Sequence, residues 1–365
     1  MAKKKVRVEF FDYRGAVHIH TKHSDGSGSL KRIVKAGLKS FLDFMIISDH
    51  DTLYLKEHKG EGWYENQLLV LVGEEASFGN EHVLALNVTE ALPKDLPPEE
   101  GFARIKAQGG LAFVVHPHGK YKIGILHRDY RWRHWHLKAC SGIEIWSYMF
   151  DWISKVSLFK LPYYFFFPGK AITGPFPETL NQWDGLAQKH RVPGIGGLDV
   201  HARGIWPIVV FSYRKSFRTV LTHVLLEQPL SKNLPRDSEL IHTALAEGHA
   251  YVAYEKAGDP RGFRFILKGP LNFAIMGDEV IFDPEDVLEV ELPEKAQIRI
   301  LRNGKPQMVG LSSGLSMQVR EPGVYRVDVY KNGRPWIFSN PIYVRQADAV
   351  DVEPVLEDEF EDDLP

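Results

Sequence analysis

The chain has 365 residues, 44% of them apolar and 12% aromatic, enough for two domains or one large α/β domain with an appendage. A net charge of −2 gives no general pull toward nucleic acid, and a single cysteine, Cys140, excludes an internal disulfide framework. The 16 histidines are the conspicuous feature.

The opening stretch MAKKKVRVEFFDYRG is basic but turns polar too soon for a signal peptide, so a cytoplasmic protein is expected. AVHIHTKHSDG (16–26) then reads as the first apolar strand and the loop behind it. Strand alternation puts His18 and His20 on one face, opposite Val17 and Ile19, with Asp25 in the loop. His23 in that loop reads as solvated. Leu30, Ile33, Val34, Gly37, Leu38 and Phe41 recur at helical spacing behind a plausible Ser29 cap. Strand-like runs follow at 44–51 (FMIISDHD), 68–76 (LLVLVGEEA), 82–88 (HVLALNV), 111–119 (LAFVVHPHG), 142–148 (GIEIWSY) and 193–202 (PGIGGLDVHA). Most are separated by stretches long enough for a helix, which predicts a parallel sheet, open or closed into a barrel.

HRDYRWRHWH (127–136) mixes cationic and aromatic residues and is read as a rim loop over a small anionic substrate rather than an oligonucleotide surface. VSLFKLPYYFFFPG (156–169), within an insertion at about 151–175, is too short and too interrupted to span a membrane. It is expected to cover or border the site, or else to project as an apolar patch that meets lipid or a partner. Beyond residue 256 the texture changes to short strands split by Gly, Pro and two Asn-Gly turns, 303–304 and 332–333. Residues 260–346 are expected to form a small antiparallel β-sandwich-like domain, with a β extension packed on the first domain as the alternative. The acidic 347–365 segment is expected to be disordered.

Metal-capable side chains sit at one strand end after another. His18 and His20 end the first strand, followed by Asp25. His50 ends the second, Glu75 or Glu74 the third, His82 opens the next, His116 ends 111–116, and Asp199 and His201 end 194–201. In a βα barrel the C-terminal strand ends converge on the active site. Each pair alone is weak; the ordered set is strong.

These motifs, HIHTKHSDG, SDHD, GEE, HP and LDVH, resemble those of the PHP (polymerase and histidinol phosphatase) superfamily over roughly residues 14–255. The resemblance implies a distorted (β/α)7 TIM-like barrel at 1–255 with a metal cluster at its mouth. It places ligands at His18, His20, Asp25, His50, Glu75, His82, His116, Asp199 and His201, and implies two to three divalent ions. Glu75 is preferred to Glu74 because the usual pattern is GxE. The β domain after the barrel is similar to the CehA/McbA-like branch.

Imidazole and carboxylate together suit Zn, Mn or Fe. A carboxylate bridging two such ions fits metal-activated hydroxide, so a phosphoesterase acting on a small anionic ester is expected. His50, Glu75 and Asp199 are the catalytic candidates, and His118, Lys120 and Arg203 the substrate contacts. Asp49 and Asp51 either orient ligands or cap the next helix, and Glu144 either faces the site or caps a charge. A carboxylic or carbamate ester hydrolase with the same metals is the alternative. A binding or scaffold protein with structural metals is the reading of another class.

Overall fold

The computed structural model describes residues 10–136, 140–203, 209 and 211–347, so the acidic segment lies outside the described residues but for its first position. β1 (Phe11–Ile19) leads through the Gly/Ser loop to α1 (Leu30–Leu38), β2 (Phe44–His50), α2 (Tyr54–Glu57) and the short β3 (Gly62–Tyr64). β4 (Leu68–Phe78), β5 (Glu81–Leu86), α3 (Pro98–Ala107) and β6 (Leu111–Val114) follow. A separate hairpin of β7 (Lys120–Ile123) and β8 (Leu126–Asp129) precedes β9 (Gly142–Ser147). Next come α4 (Tyr148–Ile153), α5 (Leu161–Phe166), α6 (Pro177–Ala187), β10 (Gly194–Gly197) and α7 (Tyr213–Ser216). β11 (Val220–Leu226), α8 (Leu234–Glu247) and β12 (Ala250–Tyr254) close this part of the chain.

The architecture is mixed α/β, and its strands form a circuit. β1–β2, β2–β4, β6–β9 and β9–β10 pair in parallel. The chain beyond β10 returns to β1: Leu198 N–H donates to the Val17 carbonyl at 2.9 Å, and His20 N–H to that of Val200 at 3.1 Å. The expectation of an all-parallel sheet fails at β5, which runs antiparallel to both β4 and β6. Only Gly79 and Asn80 connect β4 to β5, and a two-residue link joins antiparallel neighbours only. β11 adds antiparallel to Phe11–Gly15 of β1, and β12 to β11.

The strands are buried on both faces, so they read as continuous apolar runs rather than alternating ones. Val17, Phe44, Ile46, Leu69, Leu71, Leu84, Phe113 and Ile195 form one cluster, closed by Ile241 and Leu245 of α8. The alternate residues, Met45, Ile47, Val70, Val72, Val83 and Val114 among them, pack in the other with Ile33 and Val34 of α1. α1 buries Ile33, Val34 and Gly37 as its spacing predicts, but Ser29 makes no side-chain cap bond. Phe41 lies beyond the helix in a left-handed conformation (φ 57°) and is exposed.

The C-terminal strands are β13 (Arg264–Lys268), β14 (Phe273–Ile275), β15 (Glu279–Ile281), β16 (Val287–Arg302), β17 (Lys305–Gln318), β18 (Gly323–Lys331), β19 (Arg334–Ser339) and β20 (Ile342–Arg345). Both Asn-Gly pairs turn hairpins, β16–β17 and β18–β19, with Asn303, Gly304, Asn332 and Gly333 all at positive φ. These strands carry their own core around Phe263, Phe265, Ile298, Val327 and Trp336. They also continue the first sheet, because β19 pairs antiparallel with β12.

Candidate metal centre

The period-2 rule explains which ligand candidates reach the mouth. On β2 the face carrying Phe44 and Ile46 continues to Ser48 and His50, and on β4 the face of Leu69 and Leu71 continues to Glu75. Ile195 leads likewise to Asp199. β5 runs the other way, so Leu84 leads back to His82 at its start, which faces Ser77 of β4.

His18 and His116 follow Val17 and Val115 and are one residue out of phase. Both have positive φ, 68° and 32°, and Asp199 has 50°. The convergence of His18 and His20, with ring centroids 5.2 Å apart, is therefore made by a left-handed residue and a register shift in β1, not by plain alternation. Three candidate ligands in this sparsely populated region are a local cost that the surrounding packing sustains.

Glu75 is the centre. Its Oε2 lies 3.0 Å from His18 Nε2, 3.0 Å from His20 Nε2 and 3.5 Å from His50 Nδ1. Its Oε1 lies 2.7 Å from His82 Nδ1 and 3.0 Å from His116 Nε2. Asp199 Oδ1 stands 3.3 Å from His20 Nε2 and 3.6 Å from His18 Nε2. Asp25 Oδ1 is 3.0 Å from His201 Nε2, 3.7 Å from His20 Nδ1 and 3.8 Å from His50 Nε2. All nine candidates thus come together. Glu74 does not: it points away, accepts the Leu92 N–H at 2.8 Å, and burial pushes its pKa up to about 7.

Three overlapping groups have donor atoms within 4.8 Å of one another: His18, His20, Glu75 and Asp199; His50, Glu75 and His82; and His20, Asp25, His50 and His201. A divalent ion suits them on one structural ground. His18 Nε2, both ring nitrogens of His20, Asp25 Oδ1 and Glu75 Oε2 are buried without a hydrogen bond, although they crowd one another. Buried polar atoms are otherwise almost always paired, so ligand-type atoms that gather in such groups without bonding each other fit shared cations.

The electrostatics agree. Burial works against charge on His18, but Glu75, Glu144 and Asp199 raise its pKa well above the ordinary histidine value. Burial works against charge on His20 as well, but the Asp199 and Glu75 carboxylates beside it, 3.3 and 3.0 Å from Nε2, push its pKa up to about 9. Burial opposes charge on Glu75 too, yet His18, His82 and His50 hold it well below the carboxylate range. A field that draws protons onto imidazoles draws divalent cations as well, and cations bind by displacing those protons.

The supporting residues are specific. Glu144 is buried, lies 2.9 Å from His18 Nδ1 and accepts the His116 backbone N–H at 2.7 Å, which fixes both ligands. Gly197 makes room for it, since a Cβ there would stand 1.7 Å from Glu144 Oε1. Asp49 accepts from Thr21 N–H, Thr21 Oγ1 and Ser24 Oγ at 2.6–2.7 Å and so ties down the loop that carries Asp25. Asp51 accepts the Ser77 N–H at 2.8 Å and caps no helix. Tyr213, which sequence reasoning missed, donates its hydroxyl to the His20 carbonyl at 2.8 Å and accepts the Gly28 N–H.

A cavity of about 420 Å³ opens over the ligands. Its lining combines the ligand candidates Asp25, His50, Glu75, His82, His116, Asp199 and His201 with the largely aromatic Tyr121, Tyr130, Met149, Phe150, Trp152, Ile153 and Phe211. Arg203 lines it, 3.6 Å from Asp25 Oδ2, but His118 and Lys120 do not. His118 Nδ1 turns to Thr179 Oγ1 at 2.9 Å, and Lys120 is exposed on the β7 edge. Nor do Tyr163–Phe167 line the cavity: Tyr163, Phe166 and Phe167 are exposed, and residues 149–153 supply the lining instead. In the 127–136 stretch Tyr130 reaches the cavity, Trp132 is buried, and Arg131 and Arg133 are paired with Asp129 and Glu81. The rim-loop reading of 127–136 found Tyr130, but the rest of the aromatic lining comes from three other stretches and gave no common signal.

No family model matches the chain. The uncharacterized protein MJ1587 of Methanocaldococcus jannaschii is 31% identical over 113 residues, a match that takes in 28% of this chain and 66% of that relative. Among solved structures, a two-domain protein from Bacteroides vulgatus containing a predicted PHP-like metal-dependent phosphoesterase matches 93% of this chain and 100% of its own, at 13% identity and a TM-score of 0.45. PsfC from Pseudomonas syringae matches 67% of this chain and 91% of its own, at 12% identity and TM-score 0.42. An amidohydrolase from Chromobacterium violaceum matches 54% and 90%, at 16% and 0.33.

Proposed function

We propose that the protein is a PHP-type metal-dependent hydrolase, a phosphoesterase that takes small anionic esters. The observation that carries this reading is the Glu75 carboxylate, whose two oxygens face histidines on opposite sides while neighbouring buried donor atoms lack hydrogen bonds. His18, His20, Glu75 and Asp199 would hold one ion; His50, Glu75 and His82, with His116 beside them, a second; Asp25, His20, His50 and His201 a third. Zn, Mn or Fe held by these residues would supply Lewis acidity and activate water at neutral pH. The chain's own contributions are orientation and exclusion. Glu144 keeps His18 and His116 in place, Asp49 keeps the Asp25 loop closed, and Arg203 offers a cation to an anionic substrate at the rim.

A second reading has its own observation. The rest of the cavity lining is largely aromatic, and Arg203 is the only Lys or Arg among the described lining residues. That lining suits a carboxylic or carbamate ester with an aryl or alkyl part. The β unit after the barrel, whose sequence resembles the CehA/McbA-like branch, accords with it.

His18→Ala/His20→Ala is the test. Loss of bound metal together with turnover is expected, and full turnover in metal-free double variant would sink the proposal. A panel of p-nitrophenyl phosphate, its bis-aryl diester and naphthyl acetate separates the two ester classes. Preference for the phosphates supports the first reading, and preference for the acetate the second.

A further inference from the structure

Among the described residues, one group of exposed apolar side chains, in 125–126 and 158–167, lies next to the stretches that line the cavity. Phe159 is 97% exposed and Phe166 72%, and Leu158, Tyr163 and Phe167 are exposed with them. The tip of the β7–β8 hairpin joins this patch: Ile125 is fully exposed, and Leu158 packs against the neighbouring Gly124. The patch is anchored to the cavity lining through Trp152, whose indole N–H donates to the Tyr164 carbonyl at 3.4 Å. A monomeric soluble surface rarely leaves so many large apolar side chains together without a use.

Its charge identifies what it meets. Residues 152–177 contain no Asp or Glu but include Lys155, Lys160 and Lys170, and 118–128 contain none but include Lys120, Lys122 and Arg128. Lys120, Lys122, Lys160 and Lys170 are exposed, and among the described residues none of them is ion-paired. In a chain of net charge −2 this is a local cationic field around an apolar projection. A protein partner would need apolar and acidic groups matched to this outline. An anionic lipid surface supplies both without shape matching, because acyl chains take the aromatic rings and headgroups take the lysines.

We propose that α5 and the β7–β8 tip form an interfacial anchor that seats the cavity mouth against an anionic lipid surface. The proposal concerns the surface and stands apart from the hydrolytic reading, because vesicle binding is read without turnover. The test is sedimentation of the full chain with vesicles of phosphatidylcholine alone or mixed with phosphatidylglycerol. Binding is expected to the mixed vesicles only and to weaken in high salt. Phe159→Glu/Phe166→Glu is expected to abolish it, and Lys160→Glu/Lys170→Glu to lower it by on the order of tenfold or more. All four side chains are exposed, and an unchanged circular dichroism melt checks that the variants fold. Absence of binding to the mixed vesicles, or equal binding by the phenylalanine variant, overturns the proposal. So does a wild-type dimer that these substitutions convert to monomer without any vesicle binding, because the patch would then be a contact between copies.

Discussion

Two buried clusters of histidine and carboxylate have only strand β1 in common. At the mouth, Glu75 is ringed by His18, His20, His50, His82 and His116. On β1, β11 and the end of β12, His223 lies between Asp12 (2.8 Å to Nδ1) and Glu255 (3.2 Å to Nε2). Arg14 Nε donates to Glu255 Oε1 at 2.7 Å, and the Tyr251 hydroxyl to Asp12 Oδ2 at 2.7 Å. Residue types alone would not tell them apart. The second cluster has closed its hydrogen bonds, and no atom of it is buried and unbonded, whereas the first leaves at least five such atoms, spread over its overlapping groups. A satisfied cluster holds strands together, and an unsatisfied one of these ligand types fits a cation.

Breaking the mouth cluster at its centre should have the largest effect. Glu75→Ala is expected to lower turnover by on the order of 10³-fold or more, since several kcal/mol of transition-state stabilisation goes with the ions. Steady-state kinetics with metal in excess measures it. Breaking the other cluster should act on folding instead. His223→Ala leaves Asp12 and Glu255 facing each other in the interior, a loss of about 3–5 kcal/mol in denaturant unfolding, with metal content per folded chain unchanged. If His223→Ala removed metal and left stability intact, the contrast would be wrong.

Glu144→Gln sharpens the contrast from the supporting side. It keeps the shape but weakens the hold on His18 Nδ1, so metal affinity should fall by roughly 10–100-fold while the melting temperature with excess metal stays near wild type. The smallest effect is one of pH. Burial disfavours charge on His223, but Asp12 and Glu255 overcome it and raise its pKa to about 9. Its contribution to stability is therefore full below the ordinary histidine value of 6.5 and is lost as pH rises through about 9. The slope of unfolding free energy between those values should flatten in His223→Gln.

How much of this was legible follows from range. His50 and Glu75 continue the inward face of their own strands, so spacing within a few residues placed them. His18 and His116 reached the site through positive φ, which no alternation rule supplies, although their type and position still marked them. The antiparallel β5 followed from a two-residue link that could have been read from GN at 79–80. The second cluster could not be read, because Asp12, His223 and Glu255 pair across separations of 211 and 32 residues. The aromatic run 163–167 was the clearest local signal in its region and misled about the lining. It marks exposed surface, while the less conspicuous Met149, Phe150, Trp152 and Ile153 face the cavity.

The most direct test of the central claim is the metal content of the full chain purified without chelators, set beside two variants. Wild type is expected to carry Zn, Mn or Fe at more than one ion per chain, up to one for each of the three overlapping groups. His18→Ala/His20→Ala should lose that metal, and His223→Gln should keep it. A wild-type chain that holds no divalent ion and takes none up on dialysis, or a content indifferent to the loss of His18 and His20, would contradict the account.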